Sequence, residues 1–146
     1  MPAKLRAIDY TKEYSLNYID QNARAFDMIS AAIPAGSIVM IPLSMTTWWT
    51  TYFPHYIIGH VFDFVLPPNI DQTGRKDDIK EYYADPTRFG AADILVKWKV
   101  DYVVFNTSEL KSPIENDFLS LVTRNPFIHI YKVNHEKINY GNSSGL

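Results

Sequence analysis

His55, His60 and Asp63 fall in an H-x4-H-x2-D spacing, and two imidazoles with a carboxylate form a donor set that zinc or non-haem iron accepts. The spacing matches no standard metal site. On a strand, residues an odd number of positions apart point to opposite faces, so the competing reading makes these polar groups at a sheet edge. Asp71, Arg75 and Asp78 surround the expected start of a helix. There a carboxylate can cap free backbone N–H groups, and an acid three positions from a base can pair with it. The chemical alternative makes Arg75, with Lys76, a forked donor for a phosphate or a sugar hydroxyl. Trp48, Trp49, Tyr52, Phe53 and Tyr56 are the densest aromatic group. On a helix, Trp48 aligns with Tyr52 and Trp49 with Phe53, giving two adjacent aromatic stripes that one core cannot easily cover. Three readings stay open for them: a helix buried on both sides, a docking patch for membrane helices or headgroups, and stacking on a sugar ring.

Other chemistries lack their motifs. The loop after the first expected strand is PLSMTT, without the glycines of a phosphate-binding loop, and Ser44 has no G-x-S-x-G elbow around it. Asn106-Thr107-Ser108 and Asn142-Ser143-Ser144 fit the glycosylation pattern, which short polar runs match by chance. With no cysteine there is no disulfide framework, thiolate nucleophile or cysteine-type zinc site. Fourteen Lys and Arg against 16 Asp and Glu, a formal charge of −2, provide no basic field for nucleic acid or anionic lipid. No cofactor is expected.

These residues need a scaffold, and 146 residues suit one self-sufficient domain. Residues 1–14 read as a lead-in, 15–140 as one domain and 141–146 as a flexible tail. MPAKLRAIDY has no apolar core behind its basic residues, so no secretory signal is expected. The stretch from Met28 to Phe62 contains no Asp, Glu, Lys or Arg. Pro34, Gly36, Pro42, Pro54 and Gly59 interrupt it, so it predicts covered surface and not a membrane span.

Along the chain, Leu16, Ile19, Ala23, Phe26, Ile29 and Ile33 step at helical spacing until Pro34-Ala35-Gly36. SIVMIPL predicts a buried strand over 37–41. Thr46 and Thr47 are candidate caps for a short aromatic helix ending at Pro54. HYIIGHVF predicts a second strand. RKDDIKEYYA and PTRFGAADILVKWK predict helices, and DYVVF at 101–105 is the clearest strand. Ser112-Pro113 predicts a further helix running through Phe118, Leu119 and Val122. FIHIYKV and KINY, joined by Asn134-His135-Glu136, predict a closing hairpin. The alternation predicts an α/β three-layer sandwich, with a mostly parallel sheet, helices on both faces and a C-terminal antiparallel β-hairpin.

The order of three segments is distinctive: Pro34-Ala35-Gly36-Ser37 opening an apolar strand, Val100-Asp101-Tyr102-Val103 after Lys97 and Lys99, and Ile130-Tyr131-Lys132-Val133 after Pro126-Phe127. Between the first two lies a stretch carrying Asp71, Arg75, Asp78, Tyr82 and Tyr83. Over about residues 15 to 140 this order resembles the C-terminal extracytoplasmic domain of polytopic GT-C-type membrane glycosyltransferases, which use polyprenyl-phosphate sugars. The family's catalytic acid lies between its first membrane helices, which have no counterpart here. The resemblance therefore implies a non-catalytic domain on the extracytoplasmic face, covering a membrane-embedded site. The implied partners are that membrane part and a glycan or polyprenyl-linked sugar, with the vicinity of His60, Asp71 and Arg75 lining the acceptor's approach. The alternatives are a free-standing α/β module for a protein or small ligand, and a small enzyme with a pocket at the strand ends.

Overall fold

A computed structural model describes residues 24–62, 69–88, 90–107, 114 and 116–138. The N-terminal lead-in, the C-terminal tail, Asp63, Phe89, Ser112 and Pro113 lie outside the described residues. Helix α1 covers 24–32. Strand β1 (Ile38–Met40) is followed by a 3-10 turn at Leu43–Met45, helix α2 (Thr46–Tyr52) and strand β2 (Tyr56–Ile57). Helices α3 (Gln72–Ala84) and α4 (Ala91–Lys97) lead to strands β3 (Tyr102–Asn106), β4 (Leu119–Arg124) and β5 (Ile128–Val133). Residues 135–138 form a last helical turn.

The five strands make one sheet in the order β2-β1-β3-β5-β4. β1 runs parallel to β2 and to β3, while β5 is antiparallel to both β3 and β4. The sheet is thus mixed, which corrects the expectation of a mostly parallel one. Side chains alternate between two hydrophobic clusters, as the twofold period of a strand requires. Val39, Val104 and Ile130 join Ile29, Ile33, Trp49 and Phe53 in one. Met40, Val103, Phe105 and Tyr131 join Ile79, Tyr82, Ile94 and Leu95 in the other.

Four local expectations also change. Residues 119–124 form a strand, not a helix, because Asn125-Pro126 makes a tight turn: the Asn125 Oδ1 accepts from the backbone N–H groups of Phe127 (2.7 Å) and Ile128 (2.8 Å). That turn joins β4 to β5, so the closing hairpin precedes KINY, and residues 135–138 are helical. The HYIIGHVF strand shrinks to Tyr56–Ile57. Finally, Thr46 does not cap α2. The backbone is already helical through the 3-10 turn at Met45, and the Thr46 hydroxyl instead donates to the Leu43 carbonyl and accepts from the Val61 N–H.

Helix ends elsewhere follow local chemistry. Asp71 caps α3, its Oδ1 accepting from the Gly74 N–H at 3.0 Å. α4 closes on Lys99 at φ 54°, with Val100 N–H donating to the Leu95 carbonyl and Lys99 N–H to the Val96 carbonyl. This is the double bond pattern of a left-handed helix stop, and it delivers the chain directly into β3. Among the described residues no helix is long and apolar enough to cross a membrane.

Candidate functional site

The expected site residues separate into three groups. His55 follows α2 and bridges two elements. Its Nδ1 lies 3.2 Å from the Trp49 Nε1, a donor only, and its Nε2 lies 3.1 Å from the Ile33 carbonyl, an acceptor only. The partners fix a neutral ring with the proton on Nε2. Both nitrogens are used in joining the end of α1 to α2, and neither is directed at a ligand. His60 is buried, its Nδ1 accepts from the Phe62 N–H at 3.0 Å, and its backbone carbonyl accepts from the Gln72 amide on α3 at 2.8 Å. The two histidines therefore work against different helices. Among the described residues no three His, Cys, Asp or Glu converge as a metal site.

Burial pushes His55 below the usual histidine range, partly offset by its bond to Ile33. Burial, then the charge of Lys76, does the same for His60, and burial, then Arg124, for His129. All three histidines bind protons more readily in the unfolded chain. Their contribution is fully present above the unfolded value near 6.5 and is lost as pH falls below it. The urea midpoint is expected to drop between pH 7 and pH 5, and His55→Gln, which keeps an acceptor and a donor, is expected to remove part of that slope. A midpoint that is flat or rises toward pH 5 would contradict the neutral-ring assignment.

Asp71, Arg75 and Asp78 share α3, and two of them meet Trp98 at the end of α4. The Arg75 guanidinium carbon sits 4.5 Å from the Trp98 ring centroid, and its NH1 donates to the Ile58 carbonyl at 2.7 Å. Asp78 accepts from the Trp98 Nε1 and from the Lys97 ammonium, each at 2.8 Å. Arg75 thus fastens α3 to the chain leaving β2 and to α4. Gly59 leaves room for it: a Cβ there would stand 3.3 Å from the Arg75 Cβ and 3.1 Å from the Ile79 Cδ1. Arg75→Ala is expected to cost about 1.5–3 kcal/mol in urea unfolding, the range for a hydrogen bond made by a charged group. A loss below about 0.5 kcal/mol would return the guanidinium to a role in binding.

The aromatic group divides by helix face. Trp49 and Phe53 are buried in the sheet-side cluster, with ring centroids 4.8 Å apart. Tyr52 and Tyr56 are exposed at 59% and 68%, and Trp48 is half-buried. Phe26 of α1 lies 4.7 Å from Tyr52 and 5.8 Å from Trp48, ring to ring. Val61 and Phe62, which the sequence did not single out, are exposed as well. The uncharged segment thus sends one stripe into the core and the other to the surface.

In a sheet of this kind ligands favour the crevice where successive connections leave in opposite directions, at the carboxyl ends of the parallel strands. Here that crevice lies between β1 and β3, and Tyr83 fills it: its hydroxyl is 2.6 Å from the Val104 carbonyl oxygen and 3.0 Å from that of Met40. An open depression of about 350 Å³ lies instead at the amino ends of the same strands, among Gly36, Ser37, Asp101, Tyr102 and Lys132.

The fold has a counterpart among solved structures. The C-terminal globular domain of an oligosaccharyltransferase from Archaeoglobus fulgidus superposes with a TM-score of 0.52 at 12% identity, covering 76% of this chain and 95% of that one. At that identity the likeness establishes a shared fold. No protein-family model matches the sequence, and no curated protein does.

Proposed function

We propose that this chain is a non-catalytic accessory domain of an integral membrane glycosyltransferase-like protein, carried on the extracytoplasmic face over a membrane-embedded site. The observation that carries this reading is the fold shared with the C-terminal globular domain of an oligosaccharyltransferase. The exposed aromatic stripe supports it independently. Tyr52 and Tyr56 are exposed, as are Val61 and Phe62 of the same uncharged segment, and tyrosine rings with hydroxyl tips suit a half-wet protein or headgroup boundary. In this reading the domain is a three-layer sandwich that acts as a rigid cover. Its partner is the membrane-embedded part of the same or an associated protein. The second partner is an acceptor glycan or polyprenyl-linked sugar. The crevice filled by Tyr83 counts against the small-enzyme alternative, since the usual pocket of such a sheet is closed.

The test substitutes Tyr52→Asp and Tyr56→Asp together in the membrane-resident protein and follows sugar transfer from a polyprenyl-linked donor. Both side chains are exposed, so folding of the domain is expected to persist. Loss of two aromatic anchors is expected to lower transfer at least about tenfold. Full activity with the two acids in place would contradict docking through this patch.

A further inference from the structure

The depression at the amino ends of β1 and β3 is built entirely from the three segments whose order gives the sequence its character. Its walls are Pro34 to Ser37, Asp101 with Tyr102, and Lys132 with Val133. Segments this far apart meet because β1 and β3 pair in parallel and Tyr102 lies opposite Lys132 across β3 and β5. Part of their chemistry is structural. Asp101 Oδ2 accepts from the Ile38 N–H at 2.8 Å, the Asp101 N–H donates to the Ile38 carbonyl, and the Val133 N–H donates to the Asp101 carbonyl. Gly36 is required by its φ of 83°, and a Cβ there would meet nothing within 4 Å, so the space above it is open.

Three polar groups remain after that account. The second oxygen of Asp101, the Lys132 ammonium and the Tyr102 hydroxyl make none of the hydrogen bonds or ion pairs of the described residues, and all three residues line the depression. We propose that this depression binds a neutral sugar residue. A carboxylate acceptor and an ammonium donor that line one depression without pairing with each other disfavour either sign of net charge in the ligand. A polyol satisfies both at once, one hydroxyl donating to Asp101 and a neighbouring one accepting from Lys132. The phenol, which donates and accepts, suits a third hydroxyl. The volume is at the small end of ligand sites, which run from about 300 to 1,000 Å³, and the open mouth leaves the rest of a glycan in water. The assignment does not depend on membrane docking, which concerns the α2 surface.

The test is an amide NMR titration of the 146-residue chain with methyl α-mannoside, methyl β-glucoside and N-acetylglucosamine, up to roughly 50 mM, where millimolar binding saturates. Inorganic phosphate is the charged control. Saturable shifts at Gly36, Ser37, Asp101 and Lys132 are expected with at least one sugar. Lys132→Ala, at an exposed side chain, is expected to weaken binding about fivefold or more with the remaining spectrum unchanged. Asp101→Asn keeps an acceptor for Ile38 while removing the charge, and is expected to weaken binding similarly. Absence of saturable shifts with all three sugars, shifts with phosphate alone, or unaltered affinity in both variants would overturn the assignment.

Discussion

Trp49→Ala is expected to bring the domain close to unfolding. Trp49 is the largest fully buried side chain, wedged against Phe53 and Trp48 at ring distances of 4.8 and 5.6 Å, and its indole N–H supplies the donor that His55 accepts. Truncating a buried Trp costs about 3–5 kcal/mol through lost transfer energy and the residual cavity. The substitution also leaves the His55 Nδ1 without its donor, adding about 1 kcal/mol. Against a total stability of about 5–15 kcal/mol, a loss of this size removes much of the folded population's margin. Urea unfolding reads it directly, with Tyr52→Ala, three positions on and exposed, expected within about 0.5 kcal/mol of the parent. A loss below about 1 kcal/mol for Trp49→Ala would mean that α2 is not held to the sheet by this side chain.

Tyr82→Phe is expected to do the opposite and stabilise the fold. The Tyr82 ring is fully buried between its own helix α3 and the sheet, 6.2 Å from Phe105, yet its hydroxyl has no hydrogen-bond partner among the described residues. Burial, then the neighbouring Tyr131, pushes its ionisation far above the usual tyrosine range, so the group stays neutral and simply unsatisfied. Leaving such a group dry costs about 1–3 kcal/mol, and removing it while keeping the ring is expected to recover most of that. Tyr131 supplies the contrast. Its hydroxyl accepts from the Ile114 N–H at 2.7 Å, so Tyr131→Phe orphans a buried donor and is expected to destabilise by a similar amount. Equal signs for the two substitutions would show that the two hydroxyls are not distinguished by their partners.

The elements most readable from sequence were those whose signals are local. DYVVF has β-branched and aromatic residues in an unbroken run and became β3, displaced by one residue. The Asp71 carboxylate sits where a cap belongs, and α3 follows. The two aromatic stripes around α2 are also legible, since a spacing of four pairs Trp48 with Tyr52 and Trp49 with Phe53, and the one-position offset between the pairs divides surface from core. Signals that need a partner mislead. Phe118, Leu119 and Val122 fit a helical period, but the decisive chemistry is the Asn125 side chain bonding two backbone N–H groups downstream, which converts the segment to a strand. The mixed sheet was out of reach for the same reason, because antiparallel pairing of β5 with both β3 and β4 depends on strand order, which no periodicity encodes.

The site residues show the same division. Arg75 has the donors of a phosphate fork, but only the fold reveals that the Ile58 carbonyl and the Trp98 ring occupy it. His55 follows a helix-stopping proline with nothing to mark it as a bridge between Ile33 and Trp49. Asp101 and Lys132 stood in their segments as elements of a resemblance, and their convergence needed the register that places Tyr102 opposite Lys132.

The most direct measurement is an immunoblot of fractionated native cells with an antibody raised against this domain, reading size, compartment and sensitivity to protease added outside the membrane. A band several-fold larger than 16.8 kDa, confined to membranes and cut by external protease, is expected. A band near 16.8 kDa in the supernatant, or a membrane band protected from external protease until the membrane is opened, would contradict an extracytoplasmic domain of a membrane glycosyltransferase.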